Sequence, residues 1–180
     1  MIRTTAPNDL VMPPAVTADQ QRLLMSSYPT GVSVITAVDA YGIPHGMTCT
    51  SLSSVTLHPP TLLICLSSQS GTLAAIRHRG AFAVNLLHSD AQATAELFAS
   101  RTPERFRKVA WQPADQVGAP WLTDDALAVA ECTVRLRLPV GDHDVVIGEV
   151  VNLRHGEGKP LLYGQRRYSC FDAAREAMQR

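Results

Sequence analysis

The sequence predicts a mainly β protein, an antiparallel barrel or sandwich with a few helices packed outside it. Three observations carry that prediction. Apolar, β-branched runs of strand length recur at residues 32–38, 61–66, 81–87, 127–138 and 144–153. Helical patterns are few and short, and they do not alternate with the strands as a parallel sheet requires. No G-x-G-x-x-G follows a strand, which disfavours a doubly wound dinucleotide fold. With 180 residues the chain fits one domain and can bury roughly 70% of its unfolded surface.

Residues 1–16, with Pro7, Pro13 and Pro14, read as a flexible arm, and 17–180 as the single domain. Thr17 followed by Gln20 is a capping-box pattern that opens a helix through about residue 28, which Pro29-Thr30-Gly31 ends. Residues 32–38 form a strand and 39–42 its hairpin turn. The hydroxyl-rich run 46–54 is the returning strand. In one extended strand Thr48, Thr50 and Ser54 share a face, with Met47, Cys49 and Ser51 on the other. The almost unbroken apolar run 61–66 predicts a strand buried on both faces. Residues 67–72 hand over to a short helix ending near Gly80, and 81–87 is strand again. Ser89 and Gln92 repeat the capping box, predicting a helix through about residue 100 with Ala93, Leu97 and Phe98 inward. Residues 102–122, holding Trp111 and Trp121, are mostly irregular. Two long strands, 127–138 and 144–153, flank a turn at Gly141-Asp142, and 161–163 starts a last short strand.

Sixteen basic and sixteen acidic side chains give no net charge, so no global field draws in nucleic acid or an anionic membrane. The expected partner is a small molecule or another protein. Hydrophobic residues at 46% leave room for an oligomer interface. Cys49, Cys65, Cys132 and Cys170 form no C-x-x-C pair, and no histidine stands at metal spacing from them, so neither zinc nor disulfides are expected. Cys65 and Cys132 lie in apolar runs that suit buried thiols. The first residues lack a signal-peptide pattern, and no apolar run reaches the ~20 residues of a membrane span, which predicts a cytoplasmic protein.

Four constellations are candidates for chemistry. Five hydroxyls fall between positions 48 and 54. A row of hydroxyls on a strand can hold a polyol, a carbonyl-rich ring or a phosphate without adding charge; it also reads as a polar edge strand before Pro59-Pro60. Ser67-Ser68-Gln69-Ser70-Gly71-Thr72 sits where a strand meets a helix start, and there it can cradle an anion or simply cap the helix at Ser70. Gly141-Asp142-His143-Asp144 is either a hairpin tip or a donor histidine, a residue type whose unperturbed pKa of roughly 6.5 lies near neutrality. Arg166-Arg167-Tyr168 can clamp a phosphate, stack on a planar ring, or face solvent. His45, His58, His78, His88 and His155 read as surface or packing residues. No G-x-S-x-G occurs, so a serine nucleophile is unsupported.

Together these segments resemble the flavin reductase family with the FMN-binding split-barrel fold, the small NAD(P)H:flavin oxidoreductases of two-component monooxygenases. The resemblance runs in one order over roughly residues 20–171. It is carried by Tyr28-Pro29-Thr30-Gly31-Val32, Gly46-Met47-Thr48 through Pro59-Pro60, Ser70-Gly71-Thr72, Phe82-Ala83-Val84-Asn85-Leu86-Leu87, Gly141-Asp142-His143 and Pro160-Leu161-Leu162-Tyr163. Two positions depart from the family pattern: Cys49 stands where Ala is usual, and His58 where Asp is common.

The resemblance implies a homodimer built on an antiparallel six-stranded Greek-key split barrel with a few peripheral helices. FAD or FMN is expected near the subunit interface, with NADH, or else NADPH, as reductant and a flavin-dependent monooxygenase receiving the reduced flavin. Thr48, Cys49, Thr50 and Ser51 are expected to line the isoalloxazine and ribityl chain, and Ser54 and Val55 to extend that wall. Ser68, Ser70 and Thr72 are expected to hold phosphate, while Thr30, Gly31, Asn85 and Leu86 close the pocket. His143 is expected to be catalytic at the nicotinamide, flanked by Gly164, Arg166, Arg167 and Tyr168. The two arginines read a 2′-phosphate or neutralise a pyrophosphate. A non-catalytic flavin- or haem-binding carrier or sensor remains open on the same fold. Pyridoxamine phosphate oxidation is disfavoured, because no Arg or Lys lies between residues 46 and 76 to clamp the phosphate.

Overall fold

In the computed structural model, residues 15–171 are described. The arm expected over 1–16 therefore lies outside them except for Ala15 and Val16. Helix α1 (Ala18–Ser26) opens with the expected capping box: Gln20 N–H donates to Thr17 Oγ1, and Thr17 N–H donates to Gln20 Oε1. It ends two residues short of the expected boundary and buries none of its side chains. The strands follow as β1 (Thr30–Gly31), β2 (Ser33–Val38), β3 (Pro44–Cys49), β4 (Ser53–Leu57) and β5 (Pro60–Ser67). Helix α2 (Gly71–Arg79), strand β6 (Ala81–Leu87) and helix α3 (Gln92–Ala99) come next, then a single 3-10 turn at Arg105–Arg107. The short strands β7 (Gln112–Pro113) and β8 (Pro120–Trp121) interrupt the segment expected to be irregular. Strands β9 (Ala126–Val140), β10 (His143–His155), β11 (Leu161–Gly164) and β12 (Arg167–Cys170) complete the chain.

All pairings are antiparallel. The main sheet runs β3-β2-β6-β9-β10-β5-β4, and a smaller one runs β1-β11-β12. The main sheet has seven strands where six were expected, because the hydroxyl-rich run is two strands rather than one. β3 pairs with β2 and β4 pairs with β5, at opposite ends of the strand order, so the chain must bend at Thr50-Ser51-Leu52 between them. Thr48, Thr50 and Ser54 therefore share no common face.

The sheet curls around one core. Ile35 and Ala37 of β2, Ile64 and Leu66 of β5, Phe82 and Val84 of β6, Cys132 of β9 and Val146 of β10 meet there, with Leu73 and Ile76 of α2 plugging the space. Burying these side chains is worth roughly 1.5–3 kcal/mol each before entropy is counted. A second cluster lies outside β2, where Val32 and Val34 pack on Leu87, Ala95, Phe98 and Leu161. This is why β2 is buried on both faces. β5, in contrast to expectation, alternates: Ile64 and Leu66 point into the core while Leu63 and Cys65 are only half-buried, leaving their side open as a cleft wall.

The second expected capping box does not form. Ser89 Oγ donates to Asp90, Gln92 pairs with Glu96 one turn on, and Ala91 sits at the N-cap without a side-chain bond. Ser89 N–H is already taken by Lys159 C=O, so the helix begins further along. Thr94, Ala95 and Phe98 form the buried face; of the expected inner residues Leu97 is half-buried and Ala93 exposed.

Gly148 sits at a register shift in the β9–β10 ladder, where a Cβ would meet Phe82 Cζ at 2.6 Å. Gly148→Ala should cost about 1–3 kcal/mol of stability through overpacking, read as a lower urea midpoint at unchanged slope.

Candidate active site

Two clefts open on either side of the bend that leaves β3. The first, about 1180 Å³, lies between β3, the start of α2 and the segment 98–107. Its near wall carries Thr48, Ser70 and Thr72. Ser70 caps α2 by accepting from Leu73 N–H at 3.0 Å, which leaves its own hydroxyl proton free to donate. Thr48 Oγ1 donates to Ala95 C=O at 2.6 Å, which ties β3 to α3 and leaves its lone pairs toward the cleft. The free N–H groups of α2's first turn add donors.

The far wall was not anticipated. Arg101, Arg105 and Arg107, with Glu104, face the hydroxyl cradle across the cleft. The expectation of an uncharged cradle is thereby corrected, since the cations come from a segment outside 46–76. Their signal in the sequence is the cluster Arg101-Thr102-Pro103-Glu104-Arg105-Phe106-Arg107, three guanidinium groups within seven residues. His45 also lines this cleft. Its Nε2 donates to Asp39 Oδ2 at 3.0 Å, a bond that holds the Asp39 carboxyl below its usual range. The ring packs over the first residue of α2, where a Cβ on Gly71 would stand 3.0 Å from Nδ1.

The second cleft, about 860 Å³, is bounded by the end of α1, Pro29–Gly31, the bend 50–53, β5 and the β11–β12 hairpin. Of the expected residues, Thr30, Gly31, Thr50, Ser51 and Arg166 line it, joined by Leu52, Leu63, Cys65 and Tyr163. Arg166 and its neighbour Gln165 both adopt left-handed backbone, φ 59° and 50°, which costs a non-glycine residue on the order of 1 kcal/mol or more. Gln165 N–H donates to Ser26 C=O at 2.7 Å and pins this turn to the end of α1. Gly164, Arg167 and Tyr168 lie instead around a shallower neighbouring depression. The Tyr168 ring lies tilted against Tyr163, centroids 5.1 Å apart, and burial pushes its hydroxyl pKa up.

The remaining expected residues, Ser68 among them, fall outside both clefts. Cys49 is buried in the barrel core; its Sγ lies 3.2 Å from Ser51 Oγ, and burial raises its pKa. Ser54 and Val55 are exposed on β4, the edge strand. Leu86 is partly exposed on β6. Asn85 is fully buried with its amide engaged on both sides, donating to Val34 C=O and accepting from Leu122 N–H, so it braces the fold and does not close a pocket.

The Gly141–His143 tip stands beside the cradle. Ser68 N–H donates to Asp142 C=O at 2.9 Å, and His143 pairs with Ser67 across β10 and β5. His143 Nδ1 is 2.7 Å from Asp142 Oδ1. This hydrogen bond lowers the Asp142 pKa, so the carboxylate stays ionised above its ordinary ~3.9 and is neutralised only as pH falls through the lowered value. At neutral pH an ionised carboxylate only accepts, so Nδ1 carries the proton and Nε2 is left exposed for a ligand.

Fold and clefts together define a split-barrel protein with two clefts lined by hydroxyl, guanidinium and apolar side chains. The chain belongs to the flavin reductase like domain family, whose model matches residues 25–171. It is similar to the NADPH flavin reductase of Lentzea aerocolonigenes, 54% identical over 87% of this chain and 91% of that one. A reductase subunit of a flavin-dependent monooxygenase from Rhodococcus jostii is 35% identical over 84% of this chain and 76% of its own length. Among solved structures, the NADH:FAD oxidoreductase of Streptomyces globisporus, in complex with NAD and FAD fragments, superimposes with a TM-score of 0.80. It is 29% identical, over 94% of this chain and 97% of that one. Among the described residues no group of side chains could hold a metal ion, and no helix is long and apolar enough to cross a membrane.

Native-state alkylation at pH 8 should modify Cys65 while sparing Cys132, whose thiol burial pushes up to about 12, and the buried Cys49. Mass spectrometry of the labelled peptides reads the order.

Proposed function

We propose that the two clefts and the Gly141–His143 tip form one site in which flavin is reduced. The chain is an NAD(P)H:flavin oxidoreductase that supplies reduced flavin to a partner monooxygenase. The observation that carries the placement is the bend at 50–52. It runs from the hydroxyl wall of one cleft into the apolar wall of the other, so one ligand with a ring and a phosphate can engage both.

The residues fit that ligand. Leu52 and Leu63 supply apolar surface in the second cleft, while Thr30 and Thr50 supply uncharged partners for ring carbonyls and a polyol chain; Ser51 shapes the wall with its hydroxyl committed to Cys65. Its volume lies in the usual range for a small-molecule site. Ser70, Thr72 and the α2 N-terminus would hold phosphate. When bound, flavin would supply the hydride-accepting chemistry, and the protein would contribute mainly orientation and exclusion of water. His143, fixed by Asp142 with Nε2 outward, would orient the nicotinamide, and Arg166 would pair with its phosphates. NADH is the donor expected from the sequence.

A second copy would cover the face around the second cleft. α1 buries nothing and exposes Leu23 and Leu24, and Tyr28, Val55 and Leu57 are exposed as well. All four cysteines are unpaired, as suits a reducing cytoplasm.

NADH or NADPH oxidation followed at 340 nm should require added flavin and saturate in both substrates; flavin binding without oxidation would favour a carrier instead. His143→Ala should lower turnover about tenfold with flavin affinity barely changed, and unchanged turnover would remove His143 from the mechanism. Sedimentation should show a dimer at micromolar concentration that Leu24→Arg converts to monomer.

A further inference from the structure

We propose that the first cleft makes this enzyme selective for FAD over FMN, with Arg101 and Arg107 binding the second phosphate and the adenosine that only the dinucleotide carries; this rests on the flavin-reductase reading above. A single phosphate is provided for by the near wall alone, through Ser70, Thr72 and the α2 N-terminus. The cleft is nevertheless larger than the one proposed to hold the ring, 1180 against 860 Å³. Its far wall adds three guanidinium groups against the one carboxylate of Glu104. A planar guanidinium pairs with phosphate oxygens and stacks on a purine, so this wall matches the additional half of FAD in both charge and shape.

The three arginines are not equivalent. Arg105 Nη1 donates to Phe98 C=O at 3.0 Å, with the guanidinium 6.0 Å from the Phe98 ring centroid, so it is committed to holding the segment. Arg107 pairs with Glu104 at 3.0 Å but its side chain is 77% exposed, and such a pair is weak enough to exchange for a phosphate. Arg101 makes no hydrogen bond or ion pair with any described residue. Its charge lines the cleft without a counterion among the described residues.

The backbone that carries these arginines is held in place, so both start from the cleft wall. Phe106 stands edge-on to Phe98 at 5.1 Å and to Trp111 at 5.6 Å, wedging the segment against α3. Glu104 takes left-handed backbone at φ 58°, and Arg107 N–H returns to its carbonyl. A held backbone keeps both guanidinium groups within reach of the cleft, so their phosphate contacts add to affinity for the dinucleotide.

The test compares FAD, FMN and riboflavin in the full-length wild type, Arg101→Gln, and Arg101→Gln/Arg107→Gln. Both KM from NADH oxidation and Kd from quenching of protein tryptophan fluorescence are read. Wild type should show an FAD KM about tenfold or more below that for FMN. The double variant should raise the FAD value about tenfold, as loss of charge-assisted phosphate contacts predicts. FMN and riboflavin should move less than twofold. Equal wild-type affinity for FAD and FMN, or a double variant that weakens both alike, would overturn the proposal. Absence of NADH and NADPH oxidation with every flavin would instead overturn the reductase reading, and the fluorescence Kd values would still decide FAD selectivity.

Discussion

One hydroxyl closes the barrel. Where β3 and β5 would have to pair to seal the sheet, Ser51 Oγ accepts from Cys65 N–H at 3.2 Å and donates to Cys65 C=O at 2.9 Å, doing with a side chain what a ladder would do with backbone. Because the seam is bridged at a single point, the chain is free to bend at 50–52, and the bend divides the two clefts. A continuous strand there would have sealed the barrel and left no binding surface between β3 and β5. Each bond of this kind is worth about 1 kcal/mol net, so the seam is held but remains the least paired part of the sheet.

Three buried polar groups do comparable work for the surrounding segments. The Asn85 amide donates to Val34 C=O and Pro120 C=O and accepts from Leu122 N–H, fastening the 110–122 segment over β2. The Glu131 carboxylate accepts from the N–H groups of Gln116 and Val117 and from Asn152. Asp144, also buried, takes Arg77 of α2 at 2.9 Å, with Arg137 at 3.6 Å, and so couples the helix whose start lines the first cleft to the hairpin that carries His143. Removing one partner from such a group leaves a desolvated polar atom costing about 1–3 kcal/mol. Cradle and histidine therefore hold their relative position through the interior of the protein rather than through any bound ligand.

What could be read from the sequence follows from range. The Thr17–Gln20 box, the α2 cap at Ser70 and the β-branched strands are local signals, and they stand within two residues of expectation at α1 and at the long β9–β10 hairpin. The bend at Thr50–Leu52 is not local: it is imposed by partners at opposite ends of the sheet, and hydroxyls alternate equally well along one strand or two. The Ser89 box failed for a related reason, its N–H being claimed by Lys159, distant in sequence. For the site, motif order placed Thr30, Gly31, Thr50, Ser51, Ser70 and Thr72 on cleft walls, but it also put Asn85 at a pocket when its amide is consumed by the core. The arginines of 101–107 escaped because nothing in their spacing says which wall they will face; only the Phe98–Phe106–Trp111 packing turns them toward the cradle.

The most direct measurement is a structure of the protein with FAD. The isoalloxazine should lie against Thr50–Leu52 and Leu63 in the second cleft, with phosphate at Ser70-Gly71-Thr72 in the first. Flavin confined to one cleft, or bound away from the 50–52 bend, would contradict this placement.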